Sequence, residues 1–199
     1  MIIGILGETG IEKRVAMLPG EVATLKKMGV EVFIESCAGE RAFASDKEYQ
    51  AFGASIFSRR DLISKVEILL SVNPVPSEDL KLCREGQVLC SVVNPSDNGN
   101  WLESVRLKGL TVLALDQIPR TTRAQSMDIL SSMGTVTGYK AVIHAASLLP
   151  RFFPMFMSAA GTIKPSKVLI LEQELPGCRL LQLPESLELL SKCSMCGRQ

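Results

Sequence analysis

Short apolar runs alternate with helix-like stretches from Ile2 to Leu115, and this alternation restricts the fold more than any other feature of the chain. Ile2–Leu6, Val30–Ile34, Ile68–Val72, Val88–Val93 and Leu110–Leu115 are brief runs bounded by Gly, Asn or Pro, and they read as buried strands. Between them, Pro19–Met28 reads as a helix. Pro19 suits its first turn, Val22, Leu25 and Met28 share a face, and Gly29 ends it. Asp46–Phe52 is a short helix closed by Gly53, Asp61–Lys65 belongs to another, and Asn100–Lys108 ends at Gly109. Strands separated by helical stretches of about ten residues predict an α/β fold built on a doubly wound parallel sheet.

The texture changes at Ser126. From there to Leu149 small and apolar residues dominate, which predicts a long, mostly buried connecting helix ended by Pro150, with Gly134 and Gly138 on one face for close packing. Lys167–Leu171 reads as the first strand of a second sheet. At Glu172 the pattern breaks: Glu-Gln-Glu-Leu-Pro-Gly-Cys follows, with two prolines nearby, no helix cap and no clean period.

Charge narrows the function. With 22 basic and 21 acidic side chains in 199 residues, the chain has no general electrostatic grip on nucleic acid or an anionic membrane. No apolar run reaches the roughly 18–20 residues that span a bilayer. The start carries no basic segment or cleavage site of a secretory signal, and the six cysteines show no disulfide framework. The expectation is a soluble, intracellular, thiol-reduced protein.

The catalytic inventory is thin. His144 is the one histidine, which excludes a histidine-rich metal site. Cys193 and Cys196 are half of a zinc or redox motif without a second pair at the right spacing. The informative stretch is the polar loop Asp116–Asp128, which leaves a strand at its carboxyl end and enters a helix, where open α/β sheets place ligands. Arg120 and Arg123 suit a phosphate or carboxylate, and Gln125, Ser126, Asp128 and Ser131 offer directional hydrogen bonds. The other reading is a solvated loop whose Ser126 caps the helix.

At these residues the sequence resembles a known family. Glu12-Lys-Arg-Val-Ala-Met-Leu-Pro19, Gly39-Glu, Phe43–Asp46 and Gly53-Ala are similar to the start of the alanine dehydrogenase and proton-translocating NAD(P) transhydrogenase superfamily. The stretch from Pro119 to Met133, then Gly138-Tyr-Lys-Ala-Val142 and Arg151-Phe-Phe153, resembles its transhydrogenase alpha-subunit branch, and the similarity runs over residues 1–171. The resemblance implies that Arg120, Gln125, Asp128 and Ser131 hold the nicotinamide half of NAD(H) for hydride transfer to NADP(H) on a partner domain absent from this chain. It also implies transmembrane and NADP-binding partner subunits, a homodimer, and a cytoplasmic location peripheral to the inner membrane. Alanine dehydrogenases carry a lysine and a histidine where this chain has Asn73 and Asn94. Neutral amides do not take a proton or pair a carboxylate in the same way, which disfavours amino-acid chemistry. Arg14 matches an arginine of both branches. The alternatives are an alanine dehydrogenase-like oxidoreductase and a non-catalytic fragment.

The resemblance stops at Glu172, where the family has a glycine-rich turn for the pyrophosphate. Plausible codons for Glu172–Gln182, read one base earlier, spell Gly-Ala-Gly-Val-Ala-Gly-Leu-Gln-Ala-Ile-Ala, and the same shift carried to Gln199 permits a strand ending in an acidic residue for the ribose. The expectation is a one-base loss near Leu171 and an out-of-frame tail containing Cys178, Cys193 and Cys196. The organisation is then a first lobe over 1–125, a connecting helix over 126–150, the unfinished start of a Rossmann-type domain over 151–171, and the tail over 172–199. Exposed apolar surface on the long helix is expected from that incompleteness.

Overall fold

A computed structural model describes residues 1–119, 121–164, 166, 168–169 and 189–190. The chain divides into two units, Met1–Ala124 and Gln125–Gln199.

The first unit is a six-stranded, all-parallel sheet in the order β3-β2-β1-β4-β5-β6. Its strands are β1 (Ile2–Ile5), β2 (Glu31–Glu35), β3 (Ser55–Phe57), β4 (Ile68–Leu70), β5 (Val88–Ser91) and β6 (Thr111–Ala114). The chain winds outward from β1 to β3, then returns to β4 on the other side of β1. Right-handed crossovers therefore lay the helices of the two halves on opposite faces. Helices α1 (Pro19–Lys27) and α2 (Asp46–Ala51) cover one face, and α3 (Arg59–Lys65), α4 (Ser77–Leu80) and α5 (Gly99–Leu107) cover the other.

Strand alternation supplies both cores. Ile5, Val32 and Ile34 pack with Val22 and Tyr49, while the adjacent Leu6 joins Leu69, Leu89, Leu62, Ile63, Trp101 and Val105 on the opposite side. Buried polar groups are tied. Tyr49 Oη donates to Met17 O at 2.7 Å, and Trp101 Nε1 donates to Val75 O at 2.7 Å. Gln87 donates to Ile63 O and Val66 O at 2.7 and 2.6 Å, which satisfies carbonyls at the end of α3. Ser45 and Glu48 form a capping box at α2, and Ser58 caps α3 by accepting from Asp61 N. Gly4 is where β1 meets α3: a Cβ there would stand 2.7 Å from Leu62 Cδ2 and 2.9 Å from Val66 Cγ1.

The doubly wound parallel sheet is as expected from the sequence, with informative differences. Strands β4 and β5 stop short of Val72 and Val93, because the N–H groups of those two residues turn away from the ladder to side-chain carboxylates. Strand β3 and helix α4 are additional, too short to give a period of their own.

In the second unit α6 spans Ile129–Leu148. The expectation of a mostly buried helix from composition is wrong, and the exposed apolar surface expected from incompleteness is what the helix shows: Gly134 is its one buried residue, and Val136, Tyr139, Ile143 and Leu148 are exposed. A small, apolar composition permits burial, but burial needs covering elements, and the described residues do not cover this helix. The cap is also reassigned, since Asp128 and not Ser126 is the N-cap; Ser126 lies in the 3-10 turn Thr122–Met127. After α6 come an antiparallel hairpin, β7 (Phe156–Ser158) with β8 (Gly161–Ile163), and two residues of strand, β9 (Val168–Leu169), parallel to β10 (Leu189–Leu190). Strand β9 falls within the Lys167–Leu171 run. The readings for Glu172, Cys178, Cys193 and Cys196 lie outside the described residues.

Candidate functional site

The sheet has the strand order of a dinucleotide-binding domain, whose ligand site lies beyond the carboxyl ends of β1 and β4. The chain has filled that crevice with its own side chains. A Rossmann turn leads directly into a helix whose N-terminus meets the pyrophosphate. Here β1 runs into Leu6-Gly-Glu-Thr-Gly10, and no helix begins before Pro19. Glu35, at the end of β2, accepts from Gly7 N at 2.7 Å and from Arg59 Nη1 at 2.8 Å. Arg59 Nη1 also donates to Gly7 O at 2.9 Å, and Arg59 reaches Asp79 Oδ2 through Nε and Nη2 at 2.9 and 2.8 Å. Burial opposes the charge on Arg59, but Asp79 and Glu35 outweigh it and hold the guanidinium above its ordinary pKa. A Cβ on Gly7 would meet Glu35 Oε2 at 3.2 Å and Ala38 Cα at 3.3 Å, so the close approach this glycine permits is to the chain itself. The Gly7 N–H and C=O are thus already bonded to side chains of the chain.

Two carboxylates organise the loops at this edge. Glu8 accepts from Val72 N at 2.5 Å, from Asn73 N at 3.2 Å and from Asn73 Nδ2 at 2.9 Å. Asp116, just past β6, accepts from Val93 N at 2.8 Å, from Asn94 N at 3.0 Å and from Gln117 Nε2 at 2.9 Å. Burial raises the Asp116 pKa, and these hydrogen bonds outweigh it, leaving the carboxyl below its ordinary range. Asn94 sits in the left-handed region, at φ 48°, and its side-chain amide is bonded to Asp97. Both asparagine amides are therefore held by carboxylates of the chain.

Arg14 is engaged at the same edge. Its Nε and Nη2 donate to the two oxygens of Glu12 at 2.9 and 2.7 Å, and Glu8 adds a further favourable charge. The Arg14 side chain is the main cause that pulls Glu12 down to about 2, against a smaller opposing effect of burial. A depression of about 450 Å³ at the start of α1 is lined by Val15, Met17, Leu18, Glu21 and Leu25; its one charge is a carboxylate, the wrong sign for phosphate.

The polar loop begins at Asp116, just past β6. Of the residues singled out in the sequence, Arg120 lies outside the described residues. Gln125 is exposed in the 3-10 turn, and its carbonyl accepts from Asp128 N at 3.4 Å. Asp128 and Ser131 come together: Asp128 Oδ1 accepts from Ser131 N at 3.0 Å, and Oδ2 from Ser131 Oγ at 2.6 Å. The same contact that caps α6 fixes the direction of the Asp128 carboxylate. An exposed amide and an oriented carboxylate are the donor and acceptor types that a nicotinamide carboxamide requires. Glu8, Asp116 and the Glu35–Arg59–Asp79 cluster have no motif in the sequence, since their partners lie tens of residues away in the chain.

Residues 4–137 match the family model described as alanine dehydrogenase/PNT, N-terminal domain. The NAD(P) transhydrogenase subunit alpha of Cereibacter sphaeroides is 38% identical over 177 residues, which cover 88% of this chain and 34% of that protein. The crystal structure of a transhydrogenase from Sinorhizobium meliloti superposes with a TM-score of 0.82 at 35% identity, over 85% of this chain and 51% of the other. An L-alanine dehydrogenase structure gives 0.75 at 27% identity, over 85% and 47%. The chain spans about a third of the length of the transhydrogenase alpha subunits it matches.

Proposed function

Because the chain belongs to the alanine dehydrogenase/PNT N-terminal domain family, we propose that it is the NAD(H)-side part of a transhydrogenase alpha subunit and not an amino-acid dehydrogenase. The observation that carries this reading is the state of Asn73 and Asn94. Oxidative deamination needs a base for the amino group and a cation for the carboxylate. At those two places stand neutral amides bonded to Glu8 and Asp97, and Arg14 is paired with Glu12.

Hydride transfer between NAD(H) and NADP(H) asks for neither a base nor a nucleophile. When bound, the nicotinamide ring supplies the hydride itself. The chain contributes binding and orientation, since donor and acceptor carbons must be held about 3–3.5 Å apart. Gln125 and the Ser131-oriented Asp128 hold the carboxamide end, and the resemblance adds Arg120 as the loop's cation. The NADP(H)-binding and membrane-spanning parts, through which transfer is coupled to proton movement, belong to partner subunits. The assembly is a homodimer on the cytoplasmic side of the inner membrane. The division into a first lobe over 1–125, a connecting helix over 126–150 and the start of a second domain over 151–171 belongs to the same reading. So does weak binding: Glu-Gln-Glu-Leu-Pro-Gly stands at Glu172 in place of a glycine-rich cradle, and several kcal/mol of cofactor binding are lost with it.

Mixing the purified chain with an NADP(H)-binding transhydrogenase subunit, NADH and an NADP analogue of distinct absorbance tests the reading. Slow transhydrogenation, weaker than micromolar NADH binding by fluorescence, and no NADH from L-alanine and NAD are the expected results. Alanine-dependent NADH formation overturns the assignment, and micromolar NADH affinity overturns the impaired site.

A further inference from the structure

We propose that Asp116 is the positioning residue of the nucleotide-facing loop, a latch that fixes the loop's root to the end of β5; this rests on the transhydrogenase reading above. The loop leaves β6 at Ala114, and Asp116 reaches across to the neighbouring strand's exit. There it accepts from the consecutive N–H groups of Val93 and Asn94, at 2.8 and 3.0 Å. Asn94 itself lies in the left-handed region, so the chain turns away from β5 directly after this contact. The second oxygen also accepts from Gln117 Nε2 at 2.9 Å, so the next loop residue is tied in the same contact. Ala124, further along the loop, is buried, while the bond from its N–H to Thr121 O at 3.0 Å lies within the loop.

Between these points Gln117, Pro119 and Thr121–Arg123 are exposed. Exposed loop residues hold a ligand in one geometry only when the loop's ends are fixed by the scaffold. Asp116 takes no part in binding on this account, since both of its oxygens already serve donors of the chain. Glu8 makes the equivalent contact at β4, to Val72 N and Asn73 N. Two neighbouring strand exits thus use the same device, and at Asp116 the device also roots the loop.

Trypsin reads the latch, because Arg123 lies in the exposed span and Arg84 lies in a turn remote from it. Timed proteolysis with mass detection compares the natural chain with Asp116→Ala, Asp116→Asn and Asp116→Glu. Cleavage after Arg123 is expected to rise about ten-fold in the Ala and Asn variants and to return to within about two-fold in the Glu variant, while Arg84 stays unchanged. Equal rates at Arg123 in all four proteins, or a parallel rise at Arg84, overturn the latch. A second arm adds NADH at millimolar concentration. Protection of Arg123 in the natural chain that disappears in Asp116→Ala supports the positioning role, and equal protection in both overturns it. No protection of the natural chain overturns the nucleotide reading itself, while the first arm still decides the latch.

Discussion

Replacing Arg59 by Met removes a cation that ties α3 to β2, to α4 and to the turn after β1. Its guanidinium makes contacts of 2.8–2.9 Å with Glu35 Oε2, Gly7 O and Asp79 Oδ2, and the side chains of Arg59, Glu35 and Asp79 are 25%, 18% and 15% exposed. Breaking a buried pair from one side costs about 3–5 kcal/mol, because the partner charges stay behind. Residual exposure screens part of that, so about 2–3 kcal/mol is expected for Arg59→Met. With a urea slope of about 2 kcal/mol per molar, the unfolding midpoint falls by about 1–1.5 M. Trp101, the one tryptophan, reports the loss: it is buried in the same core as α3, and its fluorescence follows unfolding of the first unit. Adding Glu35→Gln and Asp79→Asn to Arg59→Met removes the stranded charges and is expected to recover part of the loss, so the effects are non-additive. A midpoint within about 0.3 M of the natural chain for Arg59→Met, or strictly additive effects, would refute the account.

Tyr49→Phe deletes the hydroxyl that donates to Met17 O from a fully buried ring and is expected to cost about 1–2 kcal/mol by urea denaturation. Burial first, then Asp46 and Glu48, push the Tyr49 phenol up to about 12. Its folded-state pKa lies above the unfolded value near 10, so its contribution is complete below pH 10 and is lost as pH rises towards 12; alkaline absorbance titration of Tyr139→Phe isolates this group. Glu12 shifts the other way. Its contribution is present above the ordinary 4.5 and is lost as pH falls towards about 2, and NMR titration of Arg14→Gln should return the Glu12 midpoint close to 4.5. Sequencing the gene across codon 172 should restore Gly-x-Gly-x-x-Gly when one base is supplied, and a frame that restores no glycine motif refutes the one-base loss.

The strands were legible because a parallel strand is apolar on both faces, as Ile2–Ile5 and Val88–Ser91 are. Their carboxyl ends were not. Val72 and Val93 continue the apolar runs, yet their N–H groups go to Glu8 and Asp116, 64 and 23 residues away in the chain, and no local pattern encodes such a partner. Strand β3, three residues at the sheet edge, is below the length at which periodicity exists. The helix α6 was visible in composition, which alone reads as burial; its exposure followed only from the unfinished second domain, since burial is a property of neighbours. In the polar loop, Asp128 and Ser131 are three positions apart at a helix start, and their contact follows from that spacing. The latch at Asp116 depended on tertiary pairing and emerged only with the fold.

The self-filled crevice at the end of β1 also bears on stoichiometry. Glu35 and Arg59 bond to Gly7 just beyond β1, so the backbone that a dinucleotide fold turns toward its ligand is here taken up by the chain itself. A calorimetric titration with NADH that gave more than one nucleotide per chain would therefore place the second site outside this crevice.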